Sequence, residues 1–197
     1  MPDAPGLELI RGEIERDRPG SVLATSFDRS QAALIVDPER ILDVLTWLRN
    51  EPGHRYTFLS SLHVADYLPA EPRFGVHYEL LNRDRVERIR VKAMLGDPAV
   101  GGERGGPRTD QPDRPQDPPA RQDPQSDLPQ IDSCVHLFPT ADFQEREAFD
   151  FFGITFRGHP NLTRILMPED YVGWPQRRDF PVGGEPVTFT YNEQRYG

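Results

Sequence analysis

Hydrophobic residues recur with a helical period near the start of the chain and with a period of two further on. Apolar positions spaced among charges up to Ile14 predict a short amphipathic helix, which Pro19 and Gly20 bring to an end. Residues 21–27 and 32–36 have the alternating pattern of strands and predict a hairpin. The chain is therefore expected to begin with a helix followed by two strands.

A second helix and three further strands follow in the pattern. Asp37 is placed to cap this helix with Pro38 in its first turn, and an apolar stripe runs until Pro52. The strands fall at residues 56–66, 73–81 and 85–95. This order predicts an α+β fold for residues 1–95, a two-layer sandwich in which helices pack on one face of a mixed β-sheet.

Residues 96–130 differ in composition from everything before them. Between Gly101 and Gln130 the chain has seven prolines, four glycines and five aspartates, no aromatic residue, and only Leu128 as a large aliphatic. Such a segment cannot bury enough apolar surface to offset the entropy of ordering it. We therefore predict a disordered insertion, after which residues 131–153 complete the domain. A role for the insertion as a tether for a partner stays open.

The next predicted helix carries unusually placed charges. Asp142, with Glu145 three residues later, resembles a capping box, and Gly153 suits the left-handed residue that follows a helix end. Arg146 and Asp150 are spaced for an ion pair one turn apart. Glu145 falls on the side that a soluble domain buries, where an unpaired carboxylate is costly. It therefore needs a partner, unless it is an exposed residue of a frayed helix.

The last part of the chain, residues 154–197, is predicted to be an extended strap. Prolines and glycines recur there too often for any long helix or strand, yet many apolar residues stand between them. Such a segment is ordered only by lying against its own domain or against another subunit. Charges flanked by aromatic residues favour another subunit, because aromatic anchors bury while arginine binds carboxylates with two parallel hydrogen bonds. The residues concerned are Trp174, Arg177, Arg178, Asp179 and Phe180.

Patterns typical of catalytic or metal sites are weak in this sequence. The glycine-rich run at residues 101–106 is followed by proline instead of a helix, so it lacks the helix N-terminus that binds phosphate. The single Cys134 cannot form a disulfide within the chain or hold an iron–sulfur cluster. A hydrolase site assembled in space from Glu147, Asp150 and His159 is one alternative. The simpler interpretation of His159 is a turn residue whose ring bonds to the backbone.

Charge and hydropathy exclude two classes of partner. The net charge of −9 argues against binding to nucleic acid or directly to anionic lipid. No apolar stretch approaches the ~18 residues of a membrane span, and the first five residues lack the basic and apolar regions of a signal peptide. We therefore expect a protein that is not exported and that works bound to other proteins.

One long spaced motif runs from residue 145 to residue 181. It reads Glu145-Arg146-Glu147-x-x-Asp150-x-Phe152-Gly153-Ile154, then Phe156-x-Gly158-His159-Pro160-x-Leu162-x-Arg164-Ile165-Leu166, then Pro168-Glu169-Asp170 and Arg177-Arg178-Asp179-Phe180-Pro181. The motif resembles that of the thirty-kilodalton, C-type family of proteins in respiratory complex I, the NADH:quinone oxidoreductase. The strongest match covers residues 135–181, and a weaker one extends back to about residue 20. Trp174, Gln176 and Arg178 depart from the residues more usual in the family.

The resemblance implies the same α+β fold and a non-catalytic, structural role in the peripheral arm of the complex, on the cytoplasmic face of a bacterial inner membrane. It implies no cofactor in this chain, because NADH, FMN, iron–sulfur clusters and quinone are held by partner subunits. It also implies docking against the D-type, quinone-site subunit. The residues expected at that interface are Glu145, Arg146, Glu147, Asp150, His159, Arg164, Trp174, Arg177, Arg178, Asp179 and Phe180.

Two alternative functions stay open from the sequence. The same scaffold could serve a membrane-bound hydrogenase or a related dehydrogenase with another electron donor, since the motif belongs to the scaffold and not to the donor site. The second alternative, a stand-alone hydrolase, requires the isolated chain to turn over a substrate.

Replacing residues 101–128 with a short flexible linker should change stability little, because the entropy of closing a loop grows only logarithmically with its length. We expect the melting temperature to fall by less than about 5 °C, which corresponds to roughly 1 kcal/mol for a domain of this size. Assembly with partners should survive. Calorimetry of the two purified chains measures the shift, and a larger fall would mean that the insertion is ordered.

Overall fold

A computed structural model describes residues 2–98 and 128–180 of the chain. Most of the insertion predicted at residues 96–130 lies outside the described residues, as does the end of the strap. At the two ends of the insertion, Asp97 is buried and Gln130 begins a strand. Both residues therefore belong to the folded part of the chain, and the boundaries drawn from composition were too wide.

The described elements follow the predicted order of helix, two strands, helix and three strands, and then continue with a strand, a helix and a strand. A short 3₁₀ turn at Pro38–Arg40 precedes the second helix, and Asp37 caps it by accepting the Glu39 amide. The elements are α1 (Ala4–Asp17), β1 (Val22–Asp28), β2 (Gln31–Val36), α2 (Ile41–Asn50), β3 (Phe58–Asp66), β4 (Phe74–Asn82), β5 (Glu87–Leu95), β6 (Gln130–Asp132), α3 (Ala141–Phe152) and β7 (Thr155–Arg157).

Five strands form one mixed sheet in the order β1-β2-β5-β4-β3. β2 pairs with β5 in parallel, and the other neighbours pair antiparallel. β1 and β3 are therefore the edges of the sheet. β6 and β7 form a separate parallel pair, which joins the chain after the insertion to the start of the strap. The predicted mixed sheet is confirmed.

The core lies between one face of the sheet and the helices. β5 has the alternation that predicts such a face, with Ile89, Val91 and Ala93 fully buried between charged residues. Tyr78 of β4 pairs with Val91 and so points to the same side, where it lies close enough to Glu145 of α3 for that charge to affect its ionisation. The sequence prediction of two layers, with helices on one face of the sheet, is confirmed.

The start of α3 differs from the capping box predicted around Asp142. The helix begins at Ala141, its N-cap residue is Thr140, and no side chain caps it with a hydrogen bond. Asp142 lies inside the first turn, where its charge still complements the positive end of the helix dipole. The Thr140 hydroxyl instead donates to the Leu59 carbonyl at 3.0 Å, and this bond ties the helix start to β3.

Candidate functional site

The end of α3 and the strap meet at Gly153. This residue has the left-handed conformation that the sequence predicts, with φ of 69°. A Cβ atom there would also lie 2.5 Å from the Trp174 indole, which packs over the helix end. Phe149 meets the same indole edge-on, with 5.3 Å between ring centroids. Position 153 therefore requires glycine for both its conformation and its close contact.

Asp150 is the charge that organises the middle of the strap. Its carboxylate is fully buried, and one oxygen accepts the amides of Ile165, Leu166 and Met167 at 2.8 to 3.0 Å. The other oxygen accepts from Arg164 at 2.7 Å. Burial alone would raise the pKa of this carboxyl, but the three amides and Arg164 outweigh burial and lower it. Asp150 thus fixes four consecutive residues of the strap.

The predicted ion pair between Arg146 and Asp150 is wrong. Arg146 donates instead to the carbonyls of Thr163 and Arg164 at 3.1 and 3.0 Å. Arg164 takes its place beside Asp150 and also donates to the Gly173 carbonyl at 3.0 Å. The spacing of the two residues on the helix suggested the pair. In the folded chain, the strap instead brings Arg164 to the Asp150 carboxylate and offers its carbonyls to Arg146.

Arg73 forms a second buried anchor at the other end of the strap. Its guanidinium is 2% exposed and contacts the carboxylates of Asp66 at 2.8 Å, Asp97 at 2.9 Å and Asp179 at 2.6 Å. These carboxylates belong to the end of β3, the segment just after β5 and the strap. Arg177 adds a longer contact to Asp97, at 3.6 Å. Three segments far apart in sequence are therefore held at one place.

The main-chain surroundings of Asp66 strengthen this anchor. The amides of Leu68 and Arg178 donate to its carboxylate at 2.9 and 2.8 Å. Burial would raise the pKa of Asp66, but these amides and Arg73 lower it to about 2. Asp66 is therefore ionised throughout the neutral range and attracts the strap at all such pH values.

The three charges at residues 177–179, which the sequence analysis assigned to a partner, all have partners within the chain. Arg177 donates to the Phe152 carbonyl at 2.7 Å, and Arg178 donates to the Leu68 carbonyl at 2.6 Å. Asp179 accepts from Arg73. The sequence analysis assigned these charges to another subunit and missed that each of them also fastens the strap to its own domain.

Glu145 has the buried position that the helix pattern predicts, and its partners come from the same chain. Its side chain is fully buried, and one oxygen accepts the Cys134 amide at 2.8 Å. The other oxygen has no hydrogen bond among the described residues and lies 4.0 Å from a ring nitrogen of His159. Burial raises the pKa of Glu145, against the lowering effect of Ser133 and Cys134. Burial also raises the pKa of the Cys134 thiol, which makes it a packed, unreactive group.

His159 is the turn residue that the simpler interpretation predicts. Its Nδ1 accepts the Asn161 amide at 3.0 Å, so its Nε2 carries the hydrogen and donates to the Asp142 carbonyl at 3.1 Å. Glu147 is exposed, whereas Asp150 is occupied by the strap. No hydrogen bond or ion pair joins any two of the three residues considered for a hydrolase site, and the structure does not assemble that site.

Residues 2–98 and 128–180 contain neither a candidate metal site nor a candidate membrane-spanning helix. No group of three or more histidine, cysteine or acidic side chains in these ranges could hold a metal ion. No helix within the same ranges is long and apolar enough to cross a membrane.

The structure brings most of the predicted interface residues together along α3 and the strap. Glu145, Asp150 and His159 are enclosed by the chain itself, whereas Glu147, Arg178 and Asp179 are exposed. Phe180 packs against Gly173 and Tyr171 inside the strap. Contact with another subunit stays a prediction for all eleven residues.

Sequence reasoning missed the anchor built on Arg73. Arg73 and Asp179 are 106 residues apart in the chain, and no local pattern connects them. Asp97 was included in the insertion because it stands between Gly96 and Pro98, just before the proline-rich run. One signal for this anchor was available in the sequence. Arg73 directly precedes β4, a strand with buried residues on both faces, so its charge needed a partner.

Comparison with known proteins identifies the family. A model of the respiratory-chain NADH dehydrogenase 30 kDa subunit matches residues 34–101 and 120–186, which is more than half of the chain. The chain belongs to this family. The match includes the whole of α3 and the strap up to residue 186, so the family pattern covers both anchors of the strap.

Relatives in the family extend over nearly the whole chain. The C-type NADH-quinone oxidoreductase subunit of Roseiflexus castenholzii is 41% identical over 186 residues, covering 94% of this chain and 90% of the relative. The protein of the same name from Herpetosiphon aurantiacus is 39% identical over 160 residues, covering 81% of this chain and 77% of the relative. The structure of the membrane-bound sulfane sulfur reductase, an archaeal respiratory membrane complex, has a chain of the same fold, with a TM-score of 0.60 at 19% identity over 96% of this chain and 90% of that chain.

Replacing Asp150 with asparagine should lower the free energy of unfolding by about 2–4 kcal/mol, because the amide group cannot match the acceptors that Arg164 and the three strap amides require. Urea denaturation of the isolated chain measures the loss. Asp43→Asn is the control, since it removes an exposed ion pair on α2 that should contribute less than about 1 kcal/mol. Equal midpoints for both variants would contradict the central role given to Asp150.

Glu145→Gln should become progressively more stable than the original chain as the pH rises above about 4. Because the pKa of Glu145 is raised in the folded state, the original chain loses stability as pH climbs from the unfolded value of about 4.3 through the folded value. Glutamine does not titrate and keeps an oxygen for the Cys134 amide. Denaturation midpoints between pH 4 and pH 8 measure the difference, with the exposed Glu169→Gln as control. A constant or shrinking difference would show that Glu145 is not destabilised by its charge.

Proposed function

We propose that this chain is a structural, non-catalytic member of the peripheral arm of a proton-translocating NADH:quinone oxidoreductase, where its strap docks against the D-type, quinone-site subunit. The relatives from Roseiflexus castenholzii and Herpetosiphon aurantiacus, which are named as subunits of that enzyme, support the proposal. NADH, FMN, iron–sulfur clusters and quinone belong to partner subunits in this proposal. The peripheral arm lies on the cytoplasmic face of a bacterial inner membrane, and this chain is attached to the membrane only through the complex.

The docking proposal is carried by a difference between two kinds of side chain in the strap: charged ones fasten it to the domain, and some large apolar ones are exposed. Several of its charges fasten it to the domain: Arg164 of the strap contacts Asp150 of α3, and Asp179 of the strap contacts Arg73. Two of its large apolar side chains face outward: Leu166 is 60% exposed and Val172 is 82% exposed. A segment held this firmly while exposing apolar side chains has the properties of a preorganised interface, since little entropy is lost when it binds.

A second function is supported by the fold comparison. The chain of the sulfane sulfur reductase has the same fold, so this scaffold is also found in a respiratory membrane complex with a different name. The alternative kept from the sequence is that the chain serves a membrane-bound hydrogenase or a related dehydrogenase with another electron donor. The identities of the curated relatives favour the NADH-linked enzyme.

Purification of a tagged chain from native membranes distinguishes the two functions. Mass spectrometry should find the NADH- and flavin-binding subunits together with the quinone-site subunit. A nickel-binding large subunit in their place would support the alternative. Purification of the chain alone would contradict both.

The outward-facing residues test the docking of the strap. Leu166 and Val172 replaced together by aspartate should reduce recovery of the quinone-site subunit by about tenfold, because charges would enter an apolar contact. Replacing Leu9 and Val86, which are 69% and 82% exposed and lie on α1 and the β4–β5 turn, by aspartate is the matched control. Both variants should melt like the original chain. Equal recovery of the quinone-site subunit by the two variants would contradict docking through this face.

A further inference from the structure

A half-open cleft lies between the edge strand β3 and helix α3, beside the end of α3 where the strap is attached. Its volume is about 260 Å³. Val64 of β3 and Phe151 and Phe152 of α3 form apolar walls, and all three are only half-buried. Gln176 of the strap also lines the cleft. The cleft is smaller than the roughly 300–1,000 Å³ typical of small-molecule pockets, and its size suits one large side chain.

The main chain of β3 offers unpaired hydrogen-bonding groups to this cleft. The Leu62 amide donates to the Gln144 side chain on α3, so the main-chain groups of Leu62 point away from β4. In a strand, the main-chain N–H and C=O groups of residues two apart point to the same side. Val64 lies opposite Val76 just as Leu62 lies opposite Tyr78, so the main-chain groups of Val64 also point away from β4. The N–H and C=O of Val64 therefore face the cleft. No described residue forms a hydrogen bond with them on that side.

The mouth of the cleft is both acidic and apolar. Glu147 is exposed at its rim and makes no hydrogen bond or ion pair with any described residue. Phe143, one turn earlier on α3, is 62% exposed. Arg146, the nearest cation on the helix, is held by the carbonyls of Thr163 and Arg164 and does not neutralise Glu147. The rim therefore suits a partner that brings both a cation and an apolar side chain.

We infer that this cleft receives an extended loop of a partner subunit that carries a large apolar side chain beside an arginine or lysine. The apolar side chain fills the space between Val64 and Phe151, and the loop backbone bonds to the free groups of Val64 as an added strand does. The adjacent cation pairs with Glu147, and Phe143 covers the contact from outside. This inference rests on the proposed function, because it takes the chain to be assembled in a membrane complex.

Photo-crosslinking within the native complex tests the occupant directly. Phe143 is replaced by p-azidophenylalanine in the full-length tagged chain, and Phe27, which is 44% exposed on β1, is replaced in the same way as control. Mass spectrometry of native membranes should locate the Phe143 crosslink in one segment of a partner subunit, with a large apolar residue next to arginine or lysine. The Phe27 position should not react with that segment. A crosslink to an acidic segment, to a second copy of this chain, or to no partner would overturn the inference.

A charge reversal tests the role of Glu147 in the same complex. Glu147→Lys should lower the yield of the Phe143 crosslink at least about fivefold, because two cations would then meet at the rim. Asp84→Lys reverses an exposed charge in the β4–β5 turn and should leave the yield unchanged. An unchanged yield with Glu147→Lys would overturn the inference. If the other respiratory subunits still co-purified with that variant, the proposed function would stand; if the original chain failed to recover them, the proposed function itself would fail.

Discussion

The position of the strap depends on buried arginine–carboxylate contacts made across long sequence distances. Arg73 is almost completely enclosed, and its charge would be costly to bury without Asp66, Asp97 and Asp179 around it. Those three carboxylates come from the end of β3, the segment just after β5 and the strap. Because all three carboxylates contact one guanidinium, the three segments are held together at Arg73.

Asp150 is also a buried charge that holds the strap, but most of its hydrogen-bond donors are main-chain amides. Three successive amides of the strap converge on one carboxylate oxygen, an arrangement that a chain rich in proline and glycine cannot achieve through regular secondary structure. The carboxylate takes the place of the hydrogen-bonding partners that a helix or sheet would supply. A segment without helices or long strands is ordered in this way, while two of its apolar side chains, Leu166 and Val172, remain exposed.

The buried group Glu145 differs from these two anchors because its charge is not fully compensated. One oxygen is bound by the Cys134 amide and the other has no hydrogen bond among the described residues. Burial therefore dominates its ionisation, whereas bonds dominate that of Asp150. Two carboxylates five positions apart on α3 thus contribute to stability with opposite dependence on pH. Helix periodicity predicts the buried position of Glu145, but it predicts neither the burial of Asp150 nor this difference in ionisation.

The sequence by itself determined the order of elements, the mixed two-layer fold, the glycine that ends α3 and the turn at His159, because each depends on local periodicity or on backbone conformations that few residues adopt. It also determined the family, since the long spaced motif is specific. Only the tertiary structure decided which charges meet. Asp150 pairs with Arg164 instead of Arg146, and Arg73 pairs with Asp179, which is 106 residues away in the chain. Local spacing cannot predict such pairs, because a buried charge is satisfied by whichever partner the folded chain brings within hydrogen-bonding distance.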